Sequence, residues 1–364
     1  MKLNHSLPEL GWDASWEKAF EPYKPQGLIP ARIAREEKEL YLVYSEQGEL
    51  SAEVTGKFRH EAKLRSDYPA VGDWVAVQPL PGEERAMIHA LLPRRTKFSR
   101  KVASVKTEEQ VVAANVGIVF LMSGLDRDFN LRRIERYLVL AWESGAQPVV
   151  LLNKADLCPE VDDRVAEVEA VAIGVPVHAT SAMENQGLEA LAPYLMPGKT
   201  IALLGSSGVG KSTLINTLLG EERQDVGVVR ESDGRGRHIT SRRELIPLPS
   251  GALLIDNPGM REIQMWGDEE GLSGAFEDVE TLARGCRFRD CQHEKEAGCA
   301  VREALDTGAL DPGRFKSYLK LQRELRFLAR RQDQRLRKAE KARWKKISQW
   351  QKVLEKSKFK GDYA

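Results

Sequence analysis

The sequence predicts a multidomain protein with a small N-terminal β-barrel, a central α/β nucleotide-binding domain and a mainly helical C-terminal domain that holds a metal. Three observations support this order. Short apolar runs separated by turn residues fill residues 28–95, a glycine-rich motif follows an apolar run at residues 205–213, and three cysteines and one histidine lie within residues 286–299. The 364 residues are enough for two or three domains.

Composition and charge limit the classes of function. No apolar run approaches the length of a membrane span and the N-terminus lacks the apolar stretch of a signal peptide, so we expect a cytoplasmic protein that does not bind membranes. Residues 314–360 carry 18 Lys/Arg and 4 Asp/Glu, a net charge of +14, whereas the whole chain has a net charge of +1. A basic tail on an otherwise acidic protein indicates a polyanionic partner, most simply nucleic acid.

The N-terminal third predicts an arm followed by a barrel. Residues 1–27 contain three prolines and predict a flexible, loosely structured arm. Five short strands with Gly and Pro turns in residues 28–95 favour an oligonucleotide-binding (OB) fold. Residues 57–68 combine basic side chains with Phe58 and Tyr68, a composition that suits looped RNA and a solvated loop equally. The predicted strands are residues 29–34, 40–45, 50–54, 74–78 and 86–92.

Beyond a predicted linker at residues 94–106, strands alternate with helices. This alternation indicates a mostly parallel sheet covered on both faces. The predicted strands are residues 116–122, 148–152, 175–179, 200–204 and 252–256, and the predicted helices are residues 131–142, 161–172, 188–195 and 212–219.

A phosphate-binding loop is predicted between the strand at 200–204 and the helix at 212–219, because the sequence there fits G-x-x-x-x-G-K-[ST]. Its glycines let backbone N–H groups turn toward phosphates, Lys211 can stabilise the transferred phosphoryl group, and the Ser212 hydroxyl can bind Mg²⁺. The predicted contacts are Gly205, Ser206, Ser207, Gly208, Val209, Gly210, Lys211, Ser212 and Thr213.

A second motif indicates guanine. The strand at 148–152 runs into Asn153-Lys154-Ala155-Asp156, the pattern N-K-x-D, at the strand end where open sheets bind ligands. The Asp156 carboxylate would accept two hydrogen bonds that guanine donates and adenine cannot. Ser181 and Ala182 follow the next strand and match the element that supports the base. The alternative is a P-loop ATPase with an accidental N-K-x-D.

The segment Asp256-Asn-Pro-Gly259 fits D-x-x-G. Asp256 would hold Mg²⁺ through water and the Gly259 amide would contact the γ-phosphate. The Gly-, Arg- and Ser-rich residues 226–243 predict a loop that senses this phosphate, with Thr240 as the candidate Mg²⁺ ligand and Ser241 as the fallback. An ordinary flexible loop is the alternative.

The order of these motifs is unusual, because N-K-x-D precedes both the phosphate loop and D-x-x-G. A circular permutation explains this order if the original termini lie close together. The permuted order, the barrel before it and the cysteine cluster after it resemble the RsgA family of bacterial GTPases that depend on the small ribosomal subunit. The resemblance covers about residues 28–310.

This resemblance implies an OB-fold barrel, a circularly permuted P-loop GTPase domain and a zinc-binding domain. It also implies GTP hydrolysis to GDP and phosphate, stimulated by the small (30S) ribosomal subunit during its late maturation. The expected partners are this subunit and its 16S rRNA, and the protein is expected to be a monomer. A GTP-controlled RNA-binding module, with hydrolysis only as a timer, is the alternative function. The expected boundaries are an arm at 1–27, the barrel at 28–95, the GTPase domain at 96–266, the zinc domain at 267–310 and a basic helical extension at 311–364.

The resemblance also bears on catalysis. The family commonly has His-Thr-Thr in the sensing loop, where this chain has His238, Ile239 and Thr240. The position after D-x-x-G, where other GTPases carry a catalytic Gln, is Met260, and an apolar side chain cannot orient water. The resemblance implies that His238 positions the attacking water; a solvated loop histidine is the alternative.

The pattern Cys286-x₄-Cys291-x-His293-x₅-Cys299 can close one tetrahedral Zn²⁺ site. Four protein ligands leave no open position, so the metal is expected to be structural. From residue 312 the chain is predicted to be helical, and the dense Lys/Arg of residues 330–360 favours RNA contact over a solvated tail.

Overall fold

The computed structural model describes residues 5–37, 40–101, 109–221, 243–256 and 269–329. Within these ranges no helix is long and apolar enough to cross a membrane. Several predictions lie outside the described residues: the tail beyond residue 329, and the site residues His238, Thr240, Ser241, Gly259 and Met260.

Residues 5–27 do not form the predicted flexible arm, because they pack against the barrel. Helix α1 (Ala14–Phe20) begins at Asp13, whose side chain accepts hydrogen bonds from two backbone N–H groups of the first turn, and a 3₁₀ helix (Glu21–Gln26) follows. The rings of Trp12 and Trp16 lie 4.7 Å and 6.2 Å from the ring of Trp74 on the barrel. Aromatic burial therefore orders a segment whose prolines predicted a loose chain.

The predicted five-stranded, OB-like barrel is confirmed. Its strands run in the order β1-β2-β3-β5-β4, and pairing of β4 with β1 closes the barrel and leaves no free edge. All neighbours are antiparallel except β3 and β5. The strands are β1 (Ile29–Glu37), β2 (Leu40–Ser45), β3 (Gly48–Val54), β4 (Trp74–Pro79) and β5 (Arg85–Leu91).

The basic segment after β3 forms helix α2 (Gly56–Glu61), which Thr55 caps. The Phe58 ring is buried and packs edge-on against Tyr68, with the ring centroids 6.1 Å apart. Its neighbours Lys57 and Arg59 are exposed. In this structure the segment presents charge to solvent, but the Phe58 ring is used in the barrel core and is not available to stack on a base.

The linker predicted at residues 94–106 is also corrected in part. Strand β6 (Lys97–Lys101) pairs antiparallel with β7 (Glu109–Ala114) in a separate two-stranded sheet. Phe98 of β6 and the apolar side chains of β7 are buried there, and basic residues around β6 hid this signal in the sequence.

The α/β region follows its predicted pattern. Parallel strands run in the order β10-β9-β8-β11-β13, and antiparallel β12 follows β13. Alternate residues of β8 enter two separate apolar cores, so both faces of the sheet are covered. The strands are β8 (Ile118–Gly124), β9 (Gln147–Asn153), β10 (Val177–Ala179), β11 (Thr200–Gly205), β12 (Glu244–Pro247) and β13 (Leu253–Asp256), and the helices are α3 (Leu131–Ser144), α4 (Val161–Glu169) and α5 (Lys211–Leu219). The helix predicted at 188–195 is a 3₁₀ helix, Leu188–Tyr194, with Pro193 inside it.

The barrel and the α/β sheet are joined. Strand β12 pairs with β1 at Glu244 and Arg35, and Arg243 lies 3.5 Å from the carboxylate of Glu36. The strand that follows the predicted sensing loop is thus in direct contact with the first strand of the barrel.

Arg32 is buried where these parts meet. Its guanidinium donates hydrogen bonds to the carbonyls of Leu10, Gly72 (3.2 Å) and Asn115 (3.3 Å) and to the Thr200 hydroxyl (2.8 Å). Burial lowers the pKa of Arg32 to about 9; the negative charge of Asp73 opposes this shift and the positive charge of Arg95 adds to it.

The C-terminal region is mainly helical, as predicted. It contains α6 (Glu269–Ala275), α7 (Glu277–Arg284), α8 (Ala300–Asp306) and a helix over residues 312–329, here α9. Helix α9 packs on α3 of the α/β region, where Arg136 and Glu324 form a bidentate ion pair at 2.7 and 2.8 Å. Nearby, Arg314 of α9 forms an ion pair with Asp278 of α7. The same guanidinium lies 3.3 Å from Glu135 of α3, which is fully buried.

Candidate nucleotide site and metal cluster

The predicted phosphate loop lies between β11 and α5, and its glycines are needed for close packing. Gly208 and Gly210 have positive φ values of 71° and 100°. A Cβ atom at Gly210 would lie 2.2 Å from the Asn153 amide nitrogen, and one at Gly205 would lie 2.7 Å from the Met122 carbonyl oxygen. A larger residue at either position would push the loop away from the neighbouring strands.

Lys211 begins α5 and folds back over the phosphate loop. Its ammonium donates hydrogen bonds to the backbone carbonyls of Gly205 (2.9 Å) and Ser206. The positive charge therefore lies inside the curve of the loop, at the N-terminus of α5, where both the charge and the helix dipole favour phosphate.

Asn153 connects the guanine motif to the phosphate loop. Its side-chain NH₂ donates to the Val209 carbonyl at 2.8 Å, and its side-chain oxygen accepts from the Ala182 N–H at 3.0 Å. Asn153 is buried, so one amide fixes the relative positions of three predicted elements. Asp156 lies exposed in a short 3₁₀ turn (Ala155–Leu157) at the same end of the sheet, and Ser181 is buried beside Ala182.

Two acidic residues of this site were missed by the sequence reasoning. Both lie in the loop after β8, where Asp126 forms an ion pair with the Lys154 ammonium at 2.6 Å. Asp128 accepts a hydrogen bond from the Ser206 hydroxyl and forms an ion pair with Arg133 at 2.6 Å. Burial alone would raise the pKa of Asp126, but hydrogen bonds from Lys154 and from the Asp128 N–H lower it below its usual value. Both aspartates follow the carboxyl end of a buried strand, the rule that drew attention to Asn153.

Asp256 ends β13, which is the neighbour of β11 in the sheet. Its carboxylate is half-buried at the same sheet edge as the phosphate loop. Carboxylate and hydroxyl oxygens are ligands that Mg²⁺ prefers, so Asp256 and Ser212 suit that ion chemically. The structure thus places Asp256, the phosphate loop, Asn153 to Asp156 and Ser181–Ala182 on one edge.

The four predicted metal ligands converge. The ligand atoms of Cys286, Cys291, His293 and Cys299 all lie within 4.8 Å of one another. The Cys286 and Cys299 sulfurs are 3.8 Å apart, and His293 Nδ1 lies 3.5 Å and 3.4 Å from these two sulfurs. Tetrahedral Zn²⁺ with ordinary bond lengths requires about 3.8 Å between sulfurs and about 3.6 Å between sulfur and nitrogen. The donor set and its spacing therefore fit such an ion.

Glu296 organises the loop that carries His293, one of the four candidate metal ligands. Its carboxylate accepts hydrogen bonds from the backbone N–H groups of Gln292 (2.9 Å), Glu294 (2.8 Å) and Lys295 (3.0 Å). These bonds, with that of Gln292 the largest cause, lower the pKa of Glu296 to about 2. They form a turn in which His293 has a φ of 60°.

Comparisons with known proteins agree with this geometry. A family profile described as RsgA GTPase matches residues 91–266. The small ribosomal subunit biogenesis GTPase RsgA of Opitutus terrae is 52% identical over 360 residues, which cover 96% of this chain and 98% of that protein. The crystal structure of YjeQ from Thermotoga maritima has a TM-score of 0.63 at 28% identity, and the match covers 82% of this chain and 98% of that one. YloQ, described as a circularly permuted GTPase, has the same fold at a TM-score of 0.61 and 24% identity, over 82% of this chain and 95% of that one. The permuted order inferred from the motifs is therefore confirmed.

Proposed function

Because this chain belongs to the RsgA family of small ribosomal subunit biogenesis GTPases, we propose that it binds the small ribosomal subunit and hydrolyses GTP there during late maturation, with stimulation by the subunit. The chain is a GTP hydrolase by its family and its structural relatives. The observation that carries the nucleotide part of the proposal is the Asn153 amide, which holds the guanine motif against the phosphate loop, and the part that concerns the subunit rests on the family.

In the proposed site, Asp156 reads the guanine edge and Ser181–Ala182 supports the base. The backbone of residues 205–213 and Lys211 bind the phosphates, and Lys211 stabilises negative charge on the phosphoryl group as it is transferred to water. Mg²⁺, when bound, would neutralise part of that charge. The residues proposed to hold this ion are Ser212, Asp256 and Thr240. Gly259 is the proposed γ-phosphate contact and His238 is proposed to position the attacking water.

The metal cluster is proposed to hold one structural Zn²⁺. Three thiolates and one imidazole are soft ligands that suit zinc, and no ligand position is left for a substrate. The metal would stabilise a short segment, residues 286–299, which contains little apolar core of its own.

The proposed RNA partner is 16S rRNA, which the exposed Lys57 and Arg59 of the barrel and the basic residues beyond 330 would contact. The proposed domains keep the boundaries given above, although residues 5–27 of the predicted arm are packed against the barrel. A monomeric protein in the cytoplasm is part of the same proposal.

The test is the rate of GTP hydrolysis with and without purified small ribosomal subunits, with ATP as the control nucleotide. We expect slow hydrolysis of GTP by the chain alone, strong stimulation by the subunit, and no stimulated hydrolysis of ATP. GTP hydrolysis that is insensitive to the subunit would overturn the proposed role of the subunit. His238→Ala should lower the stimulated rate and leave the affinity for GDP unchanged.

A further inference from the structure

The loop between the first two metal ligands presents an aromatic ring to solvent. It has the sequence Arg287-Phe-Arg-Asp290, and all four residues are exposed. The exposed fraction of Phe288 is 46%, whereas the Phe58 ring of the barrel is buried. A single exposed ring is common on protein surfaces, so its meaning depends on how it is held and on what surrounds it.

The backbone of this loop is fixed at both ends. The Arg287 N–H donates to the Gly298 carbonyl at 3.0 Å, and the Cys291 N–H donates to the Phe288 carbonyl at 3.3 Å. Gly298 has a φ of +75°, and a Cβ atom there would lie 3.2 Å from the Cβ of Arg287, so a glycine lets the two segments approach. Since Cys286 and Cys291 also belong to the metal cluster, Phe288 is held on a preorganised turn.

An arginine side chain lies beside the ring. The Arg287 guanidinium lies 5.5 Å from the centroid of Phe288, within the range of a cation–π contact. Arg289 is the next residue, and Lys295 of the metal-bearing segment and Arg302 of α8 are exposed too, alongside the acidic Asp290 and Glu294. Aromatic residues and Arg are also enriched at protein–protein interfaces, so a protein partner for Phe288 is the alternative that the experiment below distinguishes from RNA.

We infer that Phe288 stacks on an unpaired base of RNA and that Arg287 takes part in the same stack while neighbouring cations bind the backbone phosphates. Aromatic rings and guanidinium planes are the surfaces on which splayed-out RNA bases stack. The inference rests on the proposed binding of the small ribosomal subunit and adds a base-stacking site to it. A fully paired helix offers no free base face, so single-stranded or looped RNA is the ligand class.

The experiment uses the full-length, metal-loaded chain and a short single-stranded RNA with one 2-aminopurine, whose fluorescence falls on stacking. Measurements at about 300 mM salt weaken the electrostatic binding that the basic tail contributes. We expect Phe288→Ala and Phe288→Leu to raise the Kd about 5- to 100-fold and to abolish the quenching, and Phe288→Trp to preserve both. Ile173→Ala, which removes another exposed apolar side chain, should change neither.

Two further variants separate stacking from charge. Arg287→Lys keeps the charge but loses the planar group, so it should weaken quenching, whereas Lys295→Ala should reduce the salt dependence by about 0.7 in log–log slope and leave quenching intact. Wild-type affinity and quenching in Phe288→Leu would overturn the inference, and so would equal affinity for single-stranded and duplex RNA.

The wild-type chain is also tested for binding to small ribosomal subunits. Loss of that binding would count against the proposed function; normal binding by both wild type and Phe288→Leu would count against the stacking site alone. Equal metal content in all variants shows that the loop is intact.

Discussion

The ammonium of Lys154 lies 2.6 Å from the carboxylate of Asp126, and both side chains are about three-quarters buried. Lys154 directly follows β9, and it is thereby held by the loop that follows the neighbouring strand, β8. This contact fixes the direction of the lysine stem, which borders the position proposed for the base.

Asp126→Asn should therefore weaken GDP and GTP binding about fivefold, because a partly buried ion pair contributes about 1 kcal/mol. The Kd of a fluorescent GDP analogue measures this effect. Asp163→Asn, at an exposed position at the start of α4, is the matched control and should bind like wild type. Unchanged GDP affinity in Asp126→Asn would show that Lys154 is positioned without it.

Asp156→Asn should change the base preference of the site from guanine to xanthine. The carboxylate accepts hydrogen bonds from the guanine ring, and the loss of a charged acceptor costs about 10- to 100-fold in GTP affinity. The amide can donate to the extra carbonyl of xanthine instead. Competition between GTP, XTP and ATP measures the change; Asp156 is exposed, so the fold should be unaffected. An ATP-selective protein that ignores the substitution would refute the guanine assignment.

Glu296→Ala should lower metal affinity about 10- to 100-fold, because the carboxylate orients the loop of a ligand without binding the metal. Competition with a chromogenic chelator measures this, and Glu294→Ala is the control on the same loop. The pKa of Glu296 is about 2, below its ordinary value of 4.5, so its contribution is complete above pH 4.5 and is lost as the pH falls toward 2. Any loss of metal between pH 5 and 7 should therefore not come from protonation of Glu296.

Removal of the metal should unfold residues 286–299 but leave GDP affinity unchanged. The metal cluster and the nucleotide site lie on different elements, and the ion pairs between α3 and α9 do not involve a metal ligand. Hydrogen exchange after chelation, followed by re-addition of Zn²⁺, measures the local loss and its reversal. A large fall in GDP affinity on chelation would indicate direct coupling between the two sites.

Arg314→Met should destabilise the protein by about 3 kcal/mol, because it leaves the buried carboxylate of Glu135 with fewer compensating charges. The estimate is at the lower end of the range for such pairs, since Arg132 still lies 2.6 Å from Glu135. Urea unfolding measures the loss. Arg326→Met, at an exposed position on α9, should stay within about 0.5 kcal/mol of wild type. Glu135→Gln combined with Arg314→Met should recover part of the stability.

Short motifs and periodic patterns were sufficient to predict the barrel and the parallel sheet. They also singled out candidate nucleotide residues that meet at one sheet edge and four candidate metal ligands that converge. Asn153 and Lys211 belong to short sequence motifs, so they could be singled out directly. Asp126 and Asp128 act through partners that are distant in sequence, and no spacing rule pairs Asp128 with Ser206. Residues 5–27 are ordered by contact with Trp74 of the barrel, and the prolines within this segment give no sign of that long-range contact.

Arg32 limits how this architecture can be recombined. A single guanidinium satisfies acceptors at Leu10, Gly72, Asn115 and Thr200, which belong to the N-terminal segment, the barrel, the end of β7 and the start of β11. A barrel grafted from a distant relative would bring either an unmatched arginine or unmatched carbonyls into a dry junction. In chimaeras and in evolution, these four segments should therefore be exchanged together, and the barrel should not be replaceable by itself.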